Sequence, residues 1–100
     1  MSNPTSMDLS SANPPEDFSP PRKALWWLKK GDLKLGPEWE TAHNICQSAE
    51  GDKMHDWVHG LCHLIEGDHG NAAYWFRCAG KSSDNQDVTA LWEDMVASLK

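Results

Sequence analysis

Residues 57–80, WVHGLCHLIEGDHGNAAYWFRCAG, decide the fold of this chain. In the first half, Trp57, Leu61 and Leu64 recur at i, i+4 and i+7, which places them on one face of a helix. The second half repeats the helical spacing with four apolar residues, Ala72, Trp75, Phe76 and Ala79. The stretch therefore predicts two amphipathic helices in succession.

A reversal of the chain is predicted between these helices, at residues 66–68. Gly67 can adopt positive φ at little steric cost, so it ends the first helix. Asp68 can accept a hydrogen bond from the free amides of the second helix, whose positive end also favours its charge. Because a turn this short forces the two helices antiparallel, we predict an αα-hairpin, whose second helix ends at Gly80.

Two more helices are predicted before this hairpin. Residues 22–30 lie between Pro21 and Gly31, which suit a helix start and a helix stop. Residues 38–49 follow Pro37, which suits a first helical turn, and they carry apolar side chains at helical spacing.

The last predicted helix carries the most regular apolar stripe of the chain: Val88, Leu91, Trp92, Met95, Val96 and Leu99. Asp84 can accept hydrogen bonds from its first amides. We therefore expect residues 22–100 to form a single all-α domain of five helices, with two stacked antiparallel hairpins and a C-terminal packing helix.

Residues 1–21 have the composition of a disordered acidic tail, rich in Pro and Ser. Five prolines oppose helix formation: Pro4, Pro14, Pro15, Pro20 and Pro21. The alternative hypothesis is that this segment is a docking peptide anchored by Phe18.

The composition argues against several classes of function. A net charge of −6 is unfavourable for a general nucleic-acid binder, which needs a broad basic face. No apolar run approaches the length of a membrane span, so we expect no membrane partner. Three Cys without paired spacing, and no basic-then-apolar leader, predict an intracellular, cytoplasmic chain with free thiols.

The sequence contains an internal repeat with a shift of 36 residues. Its two copies are Leu25-x-x-Leu28-x-x-Gly31-Asp32 and Leu61-x-x-Leu64-x-x-Gly67-Asp68. The same shift places Trp39 over Trp75. A period of this length predicts stacked helix pairs.

Residues 71–80, NAAYWFRCAG, resemble the second helix of tetratricopeptide and Sel1-like repeats, with its Ala-x-x-(Tyr/Phe)-aromatic pattern. The string from Trp57 to Trp75 also resembles a family of small helical proteins that has no established function. The resemblance covers about residues 24–80 and implies helical hairpins that bind a protein or peptide. The chain departs from longer arrays because it has only two units, joined by loops of unequal length.

Histidines form the constellation most suited to chemistry. His55, His59 and His63 follow at i, i+4 and i+8, so they share one face of the third helix. His43 and Cys46 lie three residues apart on the second helix. Facing helices would let four of these residues, His43, Cys46, His59 and His63, supply nitrogen and sulfur ligands to zinc. The alternative is that the histidines lie at the core boundary with hydrogen-bond partners, and that Cys46 is a small core residue.

The same histidines are candidates for acid–base catalysis. Either His59 or His63 would form a His–carboxylate pair with an acid of the turn. The acids available there are Glu66 and Asp68, and Tyr74 lies nearby in the sequence. The sequence has no nucleophile arrangement, Gly-rich phosphate loop or cofactor signature to accompany such a pair.

Aromatic and basic residues indicate a recognition surface instead. Tyr74 and Arg77 lie three residues apart, off the main apolar face of the fourth helix. With Trp26 or Trp27 they form the composition that binding hot spots favour. The alternatives are that Tyr74 packs against a neighbouring helix and that Arg77 pairs with an acid. The basic residues beside Trp26 are likewise either an anion surface or solvated charges around a core stripe.

We expect a non-enzymatic module of tetratricopeptide-like hairpins that binds a protein or peptide. The predicted binding residues are Trp26, His59, His63, Tyr74 and Arg77. This hypothesis requires no cofactor, and the apolar ends of a two-unit stack also predict self-association. The competing hypothesis is a histidine site on the second and third helices, either for zinc at the four residues above or for acid–base catalysis.

Overall fold

Five helices account for all regular structure in residues 7–99, the part of the chain that this computed structural model describes. They are α1 (Pro20–Lys30), α2 (Pro37–Gln47), α3 (Lys53–Ile65), α4 (His69–Cys78) and α5 (Val88–Ser98). The prediction of an all-α fold, with two hairpins and a C-terminal packing helix, is therefore confirmed. Residues 1–6, the first part of the predicted tail, lie outside the described residues, as does Lys100.

α3 is the central helix, because it contacts each of the other four. Five of its apolar side chains are at most 7% exposed: Trp57, Val58, Leu61, Cys62 and Leu64. α1 packs chiefly on α2, and α4 packs on α3, so the two hairpins meet along α1, α2 and α3. The central position of α3 also brings its polar residues, histidines included, into contact with neighbouring helices.

The chain reverses at residues 66–68, as predicted. Gly67 has φ +83°, a left-handed conformation that costs other residues steric strain at Cβ. The Asp68 carboxylate accepts a hydrogen bond from the Asn71 backbone N–H at 3.2 Å and so caps α4. These local interactions make α3 and α4 antiparallel neighbours.

α3 and α4 approach each other closely at Gly60. A Cβ placed on Gly60 would lie 2.6 Å from the Phe76 ring and 3.2 Å from the Ala72 carbonyl oxygen. Phe76 is itself buried in the core, where close packing leaves a ring little room to move. The missing side chain at Gly60 therefore lets Phe76 fill the space between the two helices.

We expect Gly60→Ala to lower the free energy of unfolding by about 1–3 kcal/mol, because the added methyl group must displace the Phe76 ring. Urea denaturation followed by circular dichroism measures the change. Gly70→Ala is the matched control, since Gly70 is exposed in α4 and the nearest atom to its Cβ would be 3.9 Å away. Because Gly→Ala in a helix is itself stabilising by about 0.5–1 kcal/mol, a Gly60→Ala variant as stable as Gly70→Ala would contradict the close packing described above.

α5 closes the core against α1 and α3. Its predicted stripe is buried at Leu91, Trp92, Met95, Val96 and Leu99. The Trp92 indole N–H donates to the Leu25 carbonyl oxygen at 2.9 Å. The Arg22 guanidinium donates to the carbonyl oxygens of Val96, at 3.0 Å, and Leu99. The Arg22 bonds satisfy carbonyls at the end of α5 that have no helical N–H partner. Together with the Trp92 bond, they hold α5 against α1.

Three helix ends differ from the predictions. α1 begins at Pro20, two residues before the predicted start, because proline is tolerated in a first turn where its missing N–H is not needed. α2 ends at Gln47, two residues early. α5 is capped by Asp87, which accepts from the Ala90 N–H at 3.2 Å, and not by Asp84 as predicted.

Residues 7–19 contain no helix or strand, and they make contacts with α1 that the composition does not predict. The Trp26 indole N–H donates to the Asp8 carbonyl oxygen at 3.0 Å. The Lys30 ammonium donates to two further main-chain carbonyls of residues 9–11. This segment covers Trp26, which is 0% exposed.

Candidate metal centre

Three histidines meet where α2 packs on α3. His43 comes from α2, and His59 and His63 lie one turn apart on α3. One ring nitrogen of each histidine lies within 4.8 Å of a ring nitrogen of the other two. The Nε2 atoms of His43 and His59 are 3.2 Å apart, so one of these atoms carries a proton and donates it to the other. We call His43, His59 and His63 the histidine cluster.

The other two histidines lie outside the cluster. Nδ1 of His55 is 2.6 Å from the carboxylate of Asp52, the residue that caps α3. His55 therefore stabilises the start of α3 and does not join the other histidines on the same face of that helix. His69 is exposed at the first position of α4.

Two tryptophans enclose the histidine cluster. Trp39 stacks on His43 with ring centroids 5.0 Å apart, and Trp75 stacks on His59 with centroids 4.1 Å apart. The Trp39 indole N–H donates to the Cys62 carbonyl oxygen at 2.8 Å, which holds its ring against α3. Rigid rings on both sides restrict the rotamers of the imidazoles between them. The histidine cluster is therefore held in a defined geometry.

The Glu66 carboxylate orients His63 from the end of α3. Oε1 of Glu66 lies 2.5 Å from Nδ1 of His63. In a neutral imidazole, a proton on Nδ1 that is donated to Glu66 leaves Nε2 unprotonated and free to bind a metal. Asp68 also lies within 4.8 Å of this pair, but its carboxylate already caps α4.

Burial keeps two members of the histidine cluster neutral. His59 is 2% exposed, and burial lowers its pKa to about 4, with smaller contributions from positive charge on His43 and His63. The pKa of His43 is also lowered, first by burial and then by charge on His63. Both rings are therefore uncharged at neutral pH, and the neutral imidazole is the form that coordinates a metal.

Nδ1 of His59 is the buried side-chain polar atom in residues 7–99 that has no hydrogen-bond partner. It remains unsatisfied whichever Nε2 atom donates in the pair that His59 forms with His43. A buried polar atom without a partner destabilises a protein by about 1–3 kcal/mol. Such a group is more typical of a functional site than of a core that only has to be stable.

The two buried cysteines belong to the core and not to the histidine cluster. Cys46 and Cys62 are both fully buried and free. Burial, together with the neighbouring Cys46 thiol, raises the pKa of Cys62 well above its ordinary value. Zinc binds the thiolate, so a buried neutral thiol is a poor ligand. Of the predicted ligands His43, Cys46, His59 and His63, the structure brings together the three histidines but not Cys46.

The spacing of the histidine nitrogens is close to what zinc requires. Zinc binds imidazole nitrogen at about 2.0–2.1 Å in tetrahedral geometry, which places ligand nitrogens about 3.3 Å apart. The Nε2 atoms of His43 and His59, at 3.2 Å, match this distance, and to bind zinc the ring that donates from Nε2 in the metal-free protein would have to carry its proton on Nδ1 instead. One ring nitrogen of His63 lies within 4.8 Å of a ring nitrogen of each of the other two histidines, so the rings would have to move closer for all three to reach one metal ion. The fourth position stays open for water or another ligand.

The predicted binding residues outside the cluster, Trp26, Tyr74 and Arg77, do not form one exposed patch. Trp26 is fully buried beneath residues 7–11, and therefore does not contribute to an exposed patch. Tyr74 is 49% exposed on α4, and Arg77 is exposed one turn later. A hydrogen bond with Cys78 raises the pKa of Tyr74.

The positions of Trp39 and Trp75 beside the histidines were not predicted from the sequence. The 36-residue repeat aligns these two tryptophans, and this was the available signal. Since α2 and α4 both pack on α3, equivalent residues of α2 and α4 can reach the histidines of α3 from two sides.

No family model, curated protein or solved structure matches this chain. The longest helix has 13 residues, and none of the helices within residues 7–99 combines the length and apolar character needed to cross a bilayer.

Proposed function

We propose that the protein binds a zinc ion through His43, His59 and His63. The observation that carries this proposal is the convergence of three imidazoles, with two Nε2 atoms 3.2 Å apart and all three ligand nitrogens within 4.8 Å. Imidazole is a preferred ligand of zinc. Three protein ligands and one open position are the pattern of zinc sites that act on a bound molecule, whereas structural sites use four protein ligands.

Three features support a built site over a chance meeting of histidines. Trp39 and Trp75 stack on the rings of His43 and His59, burial favours the neutral forms of these two rings, and the Glu66 carboxylate beside Nδ1 of His63 favours the tautomer that binds a metal. A carboxylate bonded to the second nitrogen is typical of histidines that ligate zinc. Zinc in this site would polarise, or lower the pKa of, whatever occupies its open position.

Metal titration of protein purified without a His tag tests the proposal. Calorimetry after chelator treatment should give one zinc per chain, and Co²⁺ should give the visible absorption of a tetrahedral site. His43→Ala and His63→Ala should each abolish this binding, whereas His69→Ala, at an exposed position, should retain it. Zinc well below one equivalent in the wild type, or undiminished affinity in His63→Ala, would refute the site.

We expect Glu66→Gln to weaken zinc binding by about 10–100-fold, the usual effect of losing an outer partner of a ligand. Glutamine keeps an acceptor for Nδ1 of His63 but removes the negative charge of the carboxylate that typically supports a ligating imidazole. Competition against a chromophoric chelator measures the affinity. Glu93→Gln removes the same charge from an exposed position on α5 and should have no effect. If both variants bind zinc like the wild type, Glu66 does not support the metal.

Protein binding by tetratricopeptide-like hairpins is a second proposed role, and the exposure of Tyr74 beside Arg77 on α4 favours it. Because both side chains are exposed, we expect Tyr74→Ala and Arg77→Ala to change the free energy of unfolding by less than about 0.5 kcal/mol. Urea denaturation checks this. A larger loss of stability would show that the two side chains serve packing, and would remove the proposed surface.

A further inference from the structure

The outer face of α1 holds residues 7–11, a stretch without helix or strand, by its backbone. The Trp26 indole N–H donates to the carbonyl oxygen of Asp8 at 3.0 Å. The Lys30 ammonium donates to the carbonyl oxygens of Leu9, at 2.5 Å, and Ser11, at 3.0 Å. Both donors are side chains of α1, and all three acceptors are main-chain atoms. Because every peptide has such carbonyls, these bonds recognise the main chain rather than one particular sequence.

Apolar contacts accompany these hydrogen bonds. Met7 packs against the hydrophobic core, and Leu9 is half-buried. Trp27 meets Trp26 edge to face, with ring centroids 5.0 Å apart, and the Lys30 ammonium lies 5.6 Å from the centroid of the Trp26 ring. A buried aromatic anchor with a neighbouring cation is the composition of an interface hot spot.

The charges of α1 and the bound stretch are complementary. α1 carries four basic residues and no acidic residue, in a chain whose net charge is −6. Arg22 donates to α5 and Lys29 lies over the Trp92 ring, so Lys30 is the basic residue that contacts the bound stretch. The bound stretch includes Asp8, and the residues that follow add Glu16 and Asp17. An extended segment with acidic and apolar side chains is therefore the ligand chemistry that this face fits.

The connection between the bound stretch and α1 favours exchange. Residues 12–19 are mostly exposed and include a single turn, in which the Phe18 N–H donates to the Pro15 carbonyl oxygen at 3.2 Å. Segments with few buried contacts detach at a small fraction of the free energy of global unfolding. Tethering gives the chain's own segment an effective concentration in the millimolar range, which a competing ligand must overcome.

We propose that this face of α1, formed by Trp26, Trp27 and Lys30, is the docking site for an extended acidic segment of a partner protein. Residues 7–11 fill the site when the partner is absent, and the partner segment displaces them. The site is separate from the histidine cluster and from Tyr74, so the proposal depends on neither role described above.

A synthetic peptide tests the proposal. The probe is a fluorescein-labelled peptide of residues 7–19, which stands in for the partner segment and is added to the full chain. The wild type should bind micromolar peptide weakly, because its own segment fills the site. Met7→Gly with Leu9→Gly loosens that segment without changing α1, and should bind the peptide at least 10-fold more tightly. Added salt should weaken this binding.

Two lysine variants locate the peptide on α1. In the loosened chain, Lys30→Ala should abolish peptide binding, whereas Lys23→Ala, which removes the same charge from the same helix, should preserve most of it. If the double glycine variant loses helix content, the single Leu9→Gly variant replaces it. No gain of binding in a folded, loosened chain would overturn the proposal, and so would binding that Lys30→Ala leaves unchanged. A wild-type dimer that Lys30→Ala dissociates would show that the occupant is a second copy of this chain and would also overturn it.

Discussion

At pH 4.5 the metal-free protein is expected to be about 2–3 kcal/mol less stable than at pH 7, because His59 resists protonation only in the folded state. The pKa of His59 is about 4 in the folded protein, against about 6.5 for an unfolded chain. Between these two values the unfolded chain binds more protons, so the free energy of unfolding falls as the pH falls. His43, whose folded pKa is also lowered, acts in the same direction.

Carboxylates do not obscure this effect between pH 6.5 and pH 4.5. Asp52 and Asp68 also have lowered pKa values, mainly through hydrogen bonds to His55 and Asn71 respectively. The stability that these carboxylates contribute is lost only as the pH falls below about 4, through their folded pKa values. The higher pH window therefore reports the histidines.

Urea denaturation at several pH values, in the presence of a chelator, measures this dependence. His69→Gln is the matched control, since His69 is exposed and should leave the slope unchanged. A free energy of unfolding that stays constant from pH 6.5 to pH 4.5 would show that the pKa of His59 is the same in the folded and unfolded protein. The cluster would then not be buried as described.

The hairpin of α3 and α4 was predictable because local interactions determine it. Gly67 ends one helix through its own backbone conformation, and Asp68 caps the next through an amide only three residues away. The same dipeptide at Gly31-Asp32 behaves differently: Gly31 has φ −86° and Asp32 has φ +62°. Since α2 begins only at Pro37, Asp32 has no adjacent helix to cap. The two Gly-Asp dipeptides would therefore adopt the same conformation only if the next helix began the same number of residues after each.

The histidine cluster was predictable only in part, because it depends on how α2 is rotated against α3. His43 and Cys46 are three residues apart and share one broad face of α2, so their spacing does not decide which of them meets His59. The hydrogen bond from Trp39 to the Cys62 carbonyl helps to fix that rotation. With α2 held in this way, His43 faces the histidines and Cys46 faces the core.

The path of residues 7–11 was not predictable, because composition describes a segment and not the surface it meets. A stretch with few apolar residues is expected to stay solvated when it has to form its own core. Here α1 supplies the missing apolar surface through Trp26, and the donors for three main-chain carbonyls. Trp26 is buried because residues 7–11 cover it, and residues 7–11 are ordered because they pack on Trp26. The helical periodicity of a sequence does not reveal such a mutual dependence.

His59→Leu is expected to abolish zinc binding without destabilising the metal-free protein at pH 7. His59 contacts both other members of the cluster, at 3.2 Å from Nε2 of His43 and with its ring stacked 4.9 Å from that of His63. Losing this ligand should weaken zinc binding by more than the roughly 100-fold that loss of an outer partner costs. Leucine also removes the unsatisfied Nδ1 and can pack against Trp75. The free energy of unfolding should therefore equal that of the wild type or exceed it by about 1 kcal/mol.

Unfolding with and without zinc separates this expectation from a purely structural role. Zinc at 100 times its dissociation constant should stabilise the wild type, and the His69→Gln control, by about 2.7 kcal/mol. The same zinc concentration should leave His59→Leu unchanged, and the pH dependence of stability should be reduced in that variant. A histidine kept only for packing predicts the reverse: zinc without effect on the wild type, and a loss of about 2 kcal/mol or more when leucine replaces the ring. The metal-free wild type would then be more stable than His59→Leu, and packing alone would account for the presence of the three histidines.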